Sequence, residues 1–398
     1  AGHDIASGGL ITTFLELCFA DTNLGAKLDI TALAEKDSFK VLFSENSGIV
    51  FQAKDASIET ILSEANIEFF NLGKVTESDT LSIINYTEVF TMTISRLRDV
   101  WYKTSFLLDQ KQTANNLAEA RYNNYKNQPL KYTFPKHFTG KLPVFDINKP
   151  RPKAAILREK GSNSEREMAN AMYLAGFDVK DVHMTDLISG REDLKDIQFL
   201  GAVGGFSNSD VLGSAKGWAG AIKYNEKANK VINDFFNRED TLSVGICNGC
   251  QLFMELDLIN PEHDVHGKMI HNDSKKHESS FTSVAVQKNN SVMLSTLEGT
   301  TLGVWISHGE GKFNLPKTED HYNIVAKYGY KGYPNNPNGS VFNTAMLCDK
   351  TGRHLVTMPH IERSTFQWNW ANYPNGRKDE VSPWLEAFVN ARLWIENF

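Results

Sequence analysis

SVGICNGCQLF, residues Ser243–Phe253, gives the strongest indication of the fold. Its apolar first half has the composition of a buried strand, and it runs through Cys247 directly into a stretch typical of a helix. Gly245 and Gly249 stand two residues before and two residues after the cysteine. A G-x-C-x-G sequence between a strand and a helix is typical of a nucleophile elbow, a tight turn that needs small flanking residues and projects the side chain between them. The pattern predicts Cys247 as a nucleophile, beside a helix N-terminus that favours an anionic sulfur.

Strands and helices alternate around this turn. Three strands are predicted, at Ala154–Leu157, Phe199–Val203 and Leu242–Ile246. Ser164, followed three residues later by Glu167, predicts a capping box that begins a helix ending at Gly176. This alternation predicts a doubly wound α/β domain with a mostly parallel sheet, in which the working groups lie at the carboxyl ends of the strands. Cys247 and the turn GGFSNSD, residues 204–210, both follow a strand.

A cysteine nucleophile needs a base, and His360 in TMPHIERSTF is the candidate. It lies in an apolar stretch that resembles a strand, and Glu362 follows two residues later. Because strand side chains repeat with a period of two, we expect both side chains on one face, with the carboxylate orienting the ring and stabilising its cation. The sequence therefore predicts Cys247, His360 and Glu362 as nucleophile, base and orienter.

Acyl transfer also needs donors for the oxyanion that develops on the substrate, and backbone N–H groups are suited to this because they are already fixed in place. The N–H of Asn248, directly after the nucleophile, is one candidate. The N–H of Gly205 is the second, because a residue without a Cβ lets a substrate approach its backbone closely.

Composition excludes several classes of function. The formal net charge of −6 and the dispersed Lys and Arg residues supply no positive field for nucleic acid. No apolar run approaches the roughly 20 residues that cross a bilayer, so no membrane partner is expected and the chain is predicted to be cytoplasmic. The four cysteines are too few for a disulfide framework. Cys247 and Cys250 form a CxxC, but no second CxxC or His pair completes a zinc site, so no metal is expected.

The sequence before the α/β region has a mixed α+β character. Strand-like runs occur at Phe39–Phe43, Gly48–Ala53 and Leu81–Tyr86, with a helical stretch near Ile58–Ala65 and a polar helix over about Thr91–Asn124. The stretch from about Asn127 to Pro152 holds five prolines and no periodicity, which indicates an extended connector. The predicted organisation is a partial lobe over 1–108, a helix and linker over 109–152, and the α/β domain over 153–398.

These motifs together resemble a known family. The elbow GICNGCQ, the turn GGFSNSDVLGSAKGW, the segment ISHGEGKF and the closing MPHIER are similar to the class I glutamine amidotransferase domain of the long-chain phosphoribosylformylglycinamidine synthases, over about Lys153–Phe398. HDIASGGL and FSENSGIVF resemble the end of the synthetase region of those enzymes, which is related to aminoimidazole ribonucleotide synthetase. The resemblance implies a flavodoxin-like glutaminase fold after a partial synthetase lobe, and a chain equivalent to the C-terminal third of such an enzyme.

The same resemblance implies a function. Cys247 would attack the amide of glutamine, form a thioester and release ammonia for the ATP-dependent conversion of formylglycinamide ribonucleotide to its amidine in purine biosynthesis. ATP and Mg²⁺ would serve the intact enzyme, while the glutaminase domain would need no cofactor. The implied partners are glutamine and the remaining synthetase domains. The resemblance also implies four neighbours of the glutamine pocket: Gln251, Ser307, His308 and Gly309.

Two other interpretations remain open at this point. The chain could be a catalytically silent docking fragment whose glutaminase depends on contacts from other domains. It could also be a cysteine hydrolase of the same fold with another substrate, since a fold alone does not fix a function. Gln251 and the GGF turn argue against the second of these.

Overall fold

The structure is a computed structural model that describes residues 1–127, 130–146 and 148–398. It divides into two compact units, Ala1–Lys111 and Gln112–Phe398. Parts of the connector predicted from the prolines, namely Gln128, Pro129 and Ile147, lie outside the described residues. No helix within the described ranges has the length and apolar character needed to span a bilayer.

The first unit is built on a small mixed sheet. Its elements are β1 (Gly2–Asp4), α1 (Gly9–Phe19), β2 (Gly25–Asp29), α2 (Ser38–Leu42), β3 (Ile49–Phe51), α3 (Ser57–Glu64), β4 (Gly73–Thr76), β5 (Thr80–Asn85), β6 (Glu88–Thr93) and most of α4 (Ile94–Gln112). The four-stranded sheet has the order β4-β2-β5-β6, with β2 and β5 parallel and the outer pairs antiparallel. Leu81 and Ile83 of β5 are fully buried with Ile30 and Ile94, so this sheet carries the core of the unit.

Two local expectations in this part of the chain are wrong. The strand-like run Phe39–Phe43 lies in the helix α2 and the residue that ends it, because the side chain of Asp37 accepts hydrogen bonds from the first N–H groups of that helix. The polar helix expected over Thr91–Asn124 is interrupted after α4 and resumes as α5 (Leu117–Asn124). Asn115 and Asn116 at the break have φ angles of 59° and 56°, a left-handed conformation that asparagine tolerates and a helix interior does not.

The second unit contains the alternating elements. After α5 come β7 (Lys153–Arg158), α6 (Glu165–Leu174), β8 (Asp178–His183), α7 (Met184–Ser189), β9 (Phe199–Ala202), α8 (Lys216–Lys223), α9 (Glu226–Asn237), β10 (Leu242–Ile246), α10 (Asn248–Glu255), β11 (Lys268–Ile270), β12 (Glu278–Val286), β13 (Thr301–His308), β14 (Lys312–Asn314), β15 (Asn323–Tyr328), β16 (Thr344–Cys348), β17 (His354–Thr357) and α11 (Leu385–Glu396). The three strands predicted from apolar runs correspond to β7, β9 and β10.

The nine-stranded sheet of this unit confirms the α/β class. Its order is β13-β12-β15-β16-β17-β10-β9-β7-β8. From β8 to β17 all neighbours are parallel, and from β17 to β13 all neighbours are antiparallel. In chain order the parallel half has the flavodoxin-like sequence 2-1-3-4-5, whose topological switch point lies between β7 and β9. The loops after β7, β9, β10 and β17 therefore meet at one edge of the sheet.

The segment between Gln112 and β7 packs against the other elements of the second unit, to which it belongs. The N–H of Ala114 donates to the carbonyl of Ser274 at 2.9 Å, and Arg121 forms an ion pair with the buried Glu278 at 2.7 Å. Further along, Thr133 pairs with Thr301 through backbone hydrogen bonds. The described residues of this segment thus belong to the compact unit that carries the sheet.

The capping box expected at Ser164 is absent. Ser164 has a φ of 76° and its side chain makes no capping hydrogen bond to α6. Its hydroxyl instead accepts a hydrogen bond from the N–H of Gly204 at 3.1 Å, in the loop after β9. The residue therefore joins the loops on the two sides of the switch point, which sequence spacing does not reveal.

Candidate active site

Cys247 occupies a strained turn between β10 and α10. Its φ and ψ are 52° and −103°, outside the regions that non-glycine residues commonly adopt. The turn is held from both sides, because the N–H of Cys247 donates to Thr357 of β17 at 2.8 Å and its carbonyl accepts from Gln251 at 3.0 Å. Backbone strain of this kind costs on the order of 1–3 kcal/mol and persists only where the surroundings impose it.

The two flanking glycines make this turn possible. A Cβ on Gly249 would lie 2.1 Å from the carbonyl oxygen of Ala202 in β9, and a Cβ on Gly245 would lie 2.5 Å from the carbonyl oxygen of Gly249. Both neighbours are backbone atoms, which cannot rotate away as a flexible side chain can. The elbow predicted from G-x-C-x-G therefore has its physical basis in direct contact between α10, β10 and β9.

Gly249→Ala is expected to lower the free energy of unfolding by about 3 kcal/mol, because the new methyl group overlaps the backbone of β9. Gly220→Ala is the matched control, since Gly220 also lies in a helix but a Cβ there would meet nothing closer than 4.0 Å. The control should gain roughly 0.5–1 kcal/mol from helix propensity. Urea unfolding of the full chain measures both, and equal midpoints for the two variants would contradict the role of Gly249.

His360 and Glu362 meet outside any strand. β17 ends at Thr357, and His360 precedes a short 3₁₀ turn at Ile361–Arg363, so the expectation that a strand places both side chains on one face is wrong. The two side chains nevertheless pair, with His360 Nδ1 2.6 Å from Glu362 Oε1. The backbone of His360 is fixed by its N–H, which donates to the carbonyl of Trp305 at 2.8 Å.

Burial and two neighbours act in opposite directions on the pKa of His360. Burial of the ring lowers its pKa, whereas the charge of Glu362 and the sulfur of Cys247 raise it. The two neighbours outweigh burial, and the pKa rises from 6.5 to about 10. The ring is therefore an imidazolium at neutral pH. Because this pKa lies above the unfolded value, the contribution of His360 to stability is complete below pH 6.5 and is lost as the pH rises through 10.

Gly204 allows the cysteine and the histidine to come together. A Cβ on this residue would lie 2.9 Å from His360 Cε1 and 3.5 Å from the Cβ of Cys247. The thiol of Cys247 is 5% exposed and donates to the carbonyl of Ser307 at 3.4 Å. The structure thus brings the sulfur, the imidazole and the carboxylate into one cluster.

The N–H groups of Gly205 and Asn248 are both available as donors. Neither has a protein acceptor within residues 1–127, 130–146 and 148–398. Asn248 is the first residue of α10, where an N–H has no acceptor within the helix. Gly205 has a φ of 131° and faces Ser162 in an isolated bridge whose hydrogen bonds are made by neighbouring residues. A Cβ on Gly205 would lie 2.5 Å from Ser162 Cα, so loop packing requires this glycine.

The four pocket neighbours implied by the resemblance have different surroundings. Both ends of the Gln251 amide are bonded within the protein, to Asn248 Nδ2 at 2.9 Å and to the carbonyl of Glu310 at 2.8 Å. Ser307 accepts the thiol hydrogen bond of Cys247. A Cβ on Gly309 would meet no atom within 4 Å, so this residue borders open space. Gln251 therefore braces the elbow, whereas Ser307 contacts the sulfur itself.

His308 is a buried neutral histidine beside this cluster. The residue is 2% exposed, and neither ring nitrogen has a hydrogen-bond partner among the described residues. Burial, together with the smaller effect of the charges of His360 and His277, lowers its pKa from 6.5 to about 3. Two unpaired polar atoms inside the protein are costly, so the ring is either available to a bound molecule or a source of instability.

Sequence reasoning missed several residues of the site. Gly204 was part of the GGF run, but only the contact with His360 distinguishes it from Gly205. The site contacts of Ser164, Glu310 and Arg363 have no sequence signal, because each contact joins segments that are distant in the chain. No group of three or more His, Cys, Asp or Glu side chains in the described residues is placed to hold a metal ion.

Comparison with known proteins gives two family matches. Residues 151–395 match the family model described as the CobB/CobQ-like glutamine amidotransferase domain. Residues 1–84 match the model described as the AIR synthase related protein, C-terminal domain.

The chain is also similar to longer curated proteins. It is 37% identical over 427 residues to the probable phosphoribosylformylglycinamidine synthase, chloroplastic/mitochondrial, of Arabidopsis thaliana, covering 100% of this chain and 30% of that protein. It is 36% identical over 429 residues to the phosphoribosylformylglycinamidine synthase of Homo sapiens, covering 99% of this chain and 32% of that protein. The chain thus spans about a third of the length of these relatives. A solved structure, PurLQS from Thermotoga maritima, aligns over 62% of this chain and 98% of its own at 24% identity and a TM-score of 0.48.

Proposed function

The chain belongs to the CobB/CobQ-like glutamine amidotransferase family, and from this premise we propose that its second unit hydrolyses glutamine at Cys247. The observation that carries the proposal is the cluster at the carboxyl edge of the sheet. There a cysteine in a strained elbow lies beside a histidine whose other side is paired with a buried carboxylate. These are the groups that acyl transfer by a cysteine nucleophile requires.

The proposed reaction has two halves. Cys247 Sγ, once deprotonated, attacks the side-chain amide carbon of glutamine, and the imidazolium of His360 gives its proton to the departing nitrogen, which leaves as ammonia. The oxyanion of the tetrahedral intermediate accepts hydrogen bonds from the N–H groups of Gly205 and Asn248. Water then attacks the thioester while His360, now neutral, takes a proton from that water, and glutamate is released with the sulfur of Cys247 as the leaving group. Glu362 orients the imidazole and stabilises its cation throughout.

For the whole protein we propose a role as the ammonia source of a phosphoribosylformylglycinamidine synthase. The relatives that cover the full length of this chain carry that name, and the match at residues 1–84 is to a domain of the AIR synthase type. The ammonia would serve the ATP-dependent amidation of formylglycinamide ribonucleotide, with ATP and Mg²⁺ handled by the remaining synthetase domains.

Glutamine is the amide that the description of the family names, and its recognition by this chain is directly testable. The full chain is treated with an analogue of glutamine that carries a diazoketone in place of the amide. We expect a mass increase on the peptide that contains Cys247, because only a sulfur beside a base reacts with such a probe at low concentration. Excess glutamine should prevent the label, whereas asparagine, which is one methylene shorter, should not.

Three results of this labelling would contradict the proposal. Modification of Cys250 would place the nucleophile at the wrong cysteine, although this residue is fully buried and burial raises the pKa of its thiol. Equal protection by asparagine would indicate a cysteine hydrolase with another substrate. The absence of any label would favour the silent docking fragment.

A further inference from the structure

Arg363 connects the acid of the catalytic cluster to a second segment of the site. It directly follows Glu362, and its Nε lies 3.9 Å from Glu362 Oε1. Its terminal nitrogen donates to the side chain of Asn163 at 2.8 Å, and its Nε lies 3.3 Å from Glu167 Oε1. One guanidinium therefore contacts both the turn after β17 and the region where α6 begins, after β7. In the sheet, β10 and β9 lie between these two strands.

Asn163 belongs to the segment that holds the oxyanion loop. Its N–H donates to the carbonyl of Gly204 at 2.7 Å, and the next residue, Ser164, accepts the N–H of Gly204 at 3.1 Å. Gly205 packs so closely on this segment that a Cβ would lie 2.4 Å from the nitrogen of Asn163. Any movement of the segment would therefore move the N–H of Gly205.

Glu362 depends on Arg363 electrostatically. Its side chain is fully buried, one oxygen is paired with His360, and the other has no hydrogen-bond partner in the described chain. A buried carboxylate is unfavourable without positive charge nearby, and the guanidinium at 3.9 Å adds a second positive charge to that of the His360 ring. The contact with Glu167 is more exposed, with 44% of that side chain accessible, and should contribute little.

From these contacts we propose that Arg363 is a positioning residue that holds Glu362 and the Gly204–Gly205 turn in one fixed arrangement. His360 and the N–H of Gly205 must act on the same amide group, one on its nitrogen and the other on its oxygen. The planar guanidinium of arginine has donors in two directions, so it can bind Asn163 and stay near Glu362 at the same time. A lysine has a single charged nitrogen. The inference rests on the proposed hydrolysis of glutamine.

The test uses the full chain and the steady-state kinetics of glutamate release. Arg363→Gln is expected to lower kcat about 10- to 100-fold and to leave KM within about twofold, because the donors shift while the pocket remains. Asn163→Ala, which removes only the acceptor of the Arg363 hydrogen bond, should show a similar loss. The double variant should be no worse than the worse single variant, since both changes break one link. Arg166→Gln, an exposed arginine on α6, is the matched control and should leave kcat unchanged.

Two further readouts separate positioning from simpler roles. Arg363→Lys keeps a positive charge near Glu362, but its kcat should still be lowered. Full activity of this variant would show that Arg363 acts only through its charge and would overturn the positioning role. The pH profile of Cys247 alkylation by iodoacetamide should be the same in wild type and Asn163→Ala, since alkylation needs no oxyanion donor. A shifted profile, additive losses in the double variant, or kcat within twofold of wild type for both single variants would overturn the proposal.

Failure of the positioning role of Arg363 can be distinguished from failure of the proposed glutaminase activity. If wild type and Cys247→Ser both release no glutamate, glutaminase activity itself is contradicted. If wild type is active and Asn163→Ala is equally active, only the role of Arg363 is wrong. Asn163 is exposed, so its variant remains informative even if Arg363→Gln does not fold.

Discussion

Cys247→Ser is expected to reduce the rate of glutamate release from glutamine by about 10,000-fold. A serine fits the same elbow, since it is slightly smaller than cysteine and keeps the backbone unchanged. Its hydroxyl is a far weaker nucleophile than a thiol near neutral pH, however, so the attack on the amide carbon should be lost while the glutamine pocket remains. The measurement is glutamate release by the purified full chain at saturating glutamine.

Cys348→Ser is the matched control for this experiment. Cys348 is also fully buried in the second unit, at the end of β16, and its sulfur lies 3.8 Å from a carboxylate oxygen of Asp349, to which a serine hydroxyl could donate. We expect this variant to retain activity within about threefold, as a substitution outside the site. Equal losses in the two variants would mean that Cys247 acts structurally. No release by wild type would support the silent docking fragment.

His360→Asn is expected to lower kcat by about 1,000-fold, and Glu362→Gln by a smaller factor of about 100. The asparagine cannot give a proton to the departing nitrogen. The glutamine variant keeps the ring but loses the negative charge that raises the pKa of His360. His354→Asn is the matched control, because His354 is buried at the start of β17, away from the elbow.

The pH dependence of the rate gives a second test of the same pair. With a pKa of about 10, His360 stays protonated across the neutral range, so the rate should fall as the pH rises through 10 and the proton needed by the leaving nitrogen is lost. In Glu362→Gln, burial acts without the opposing charge, so the pKa falls and this alkaline limb should move to lower pH. An unchanged limb in the variant would show that Glu362 does not set the pKa of His360.

The linear sequence was informative wherever one local motif carried the constraint. The elbow could be predicted because Gly245, Cys247 and Gly249 are close in the chain, and the contacts of the two glycines with neighbouring backbone explain why small residues occur there. The alternation of strands and helices predicted the α/β sheet because that pattern, too, is visible over short stretches of the chain. The pairing of His360 with Glu362 was anticipated from a strand periodicity that does not exist; a short turn brings them together instead.

The remaining features were decided by the tertiary structure. Ser164 was expected to cap a helix, yet its hydroxyl accepts the N–H of Gly204, and Arg363 reaches a residue 200 positions away in the chain. Both contacts exist because the parallel strands β7, β9, β10 and β17 end at one edge of the sheet, where their loops meet. The order of residues alone predicted the class of fold and the glycine-flanked turn, and it indicated Cys247 as the nucleophile proposed for that turn. Only the packing of four strand ends determined which backbone donors, charges and positioning contacts surround Cys247, since these depend on distances that the order of residues does not contain.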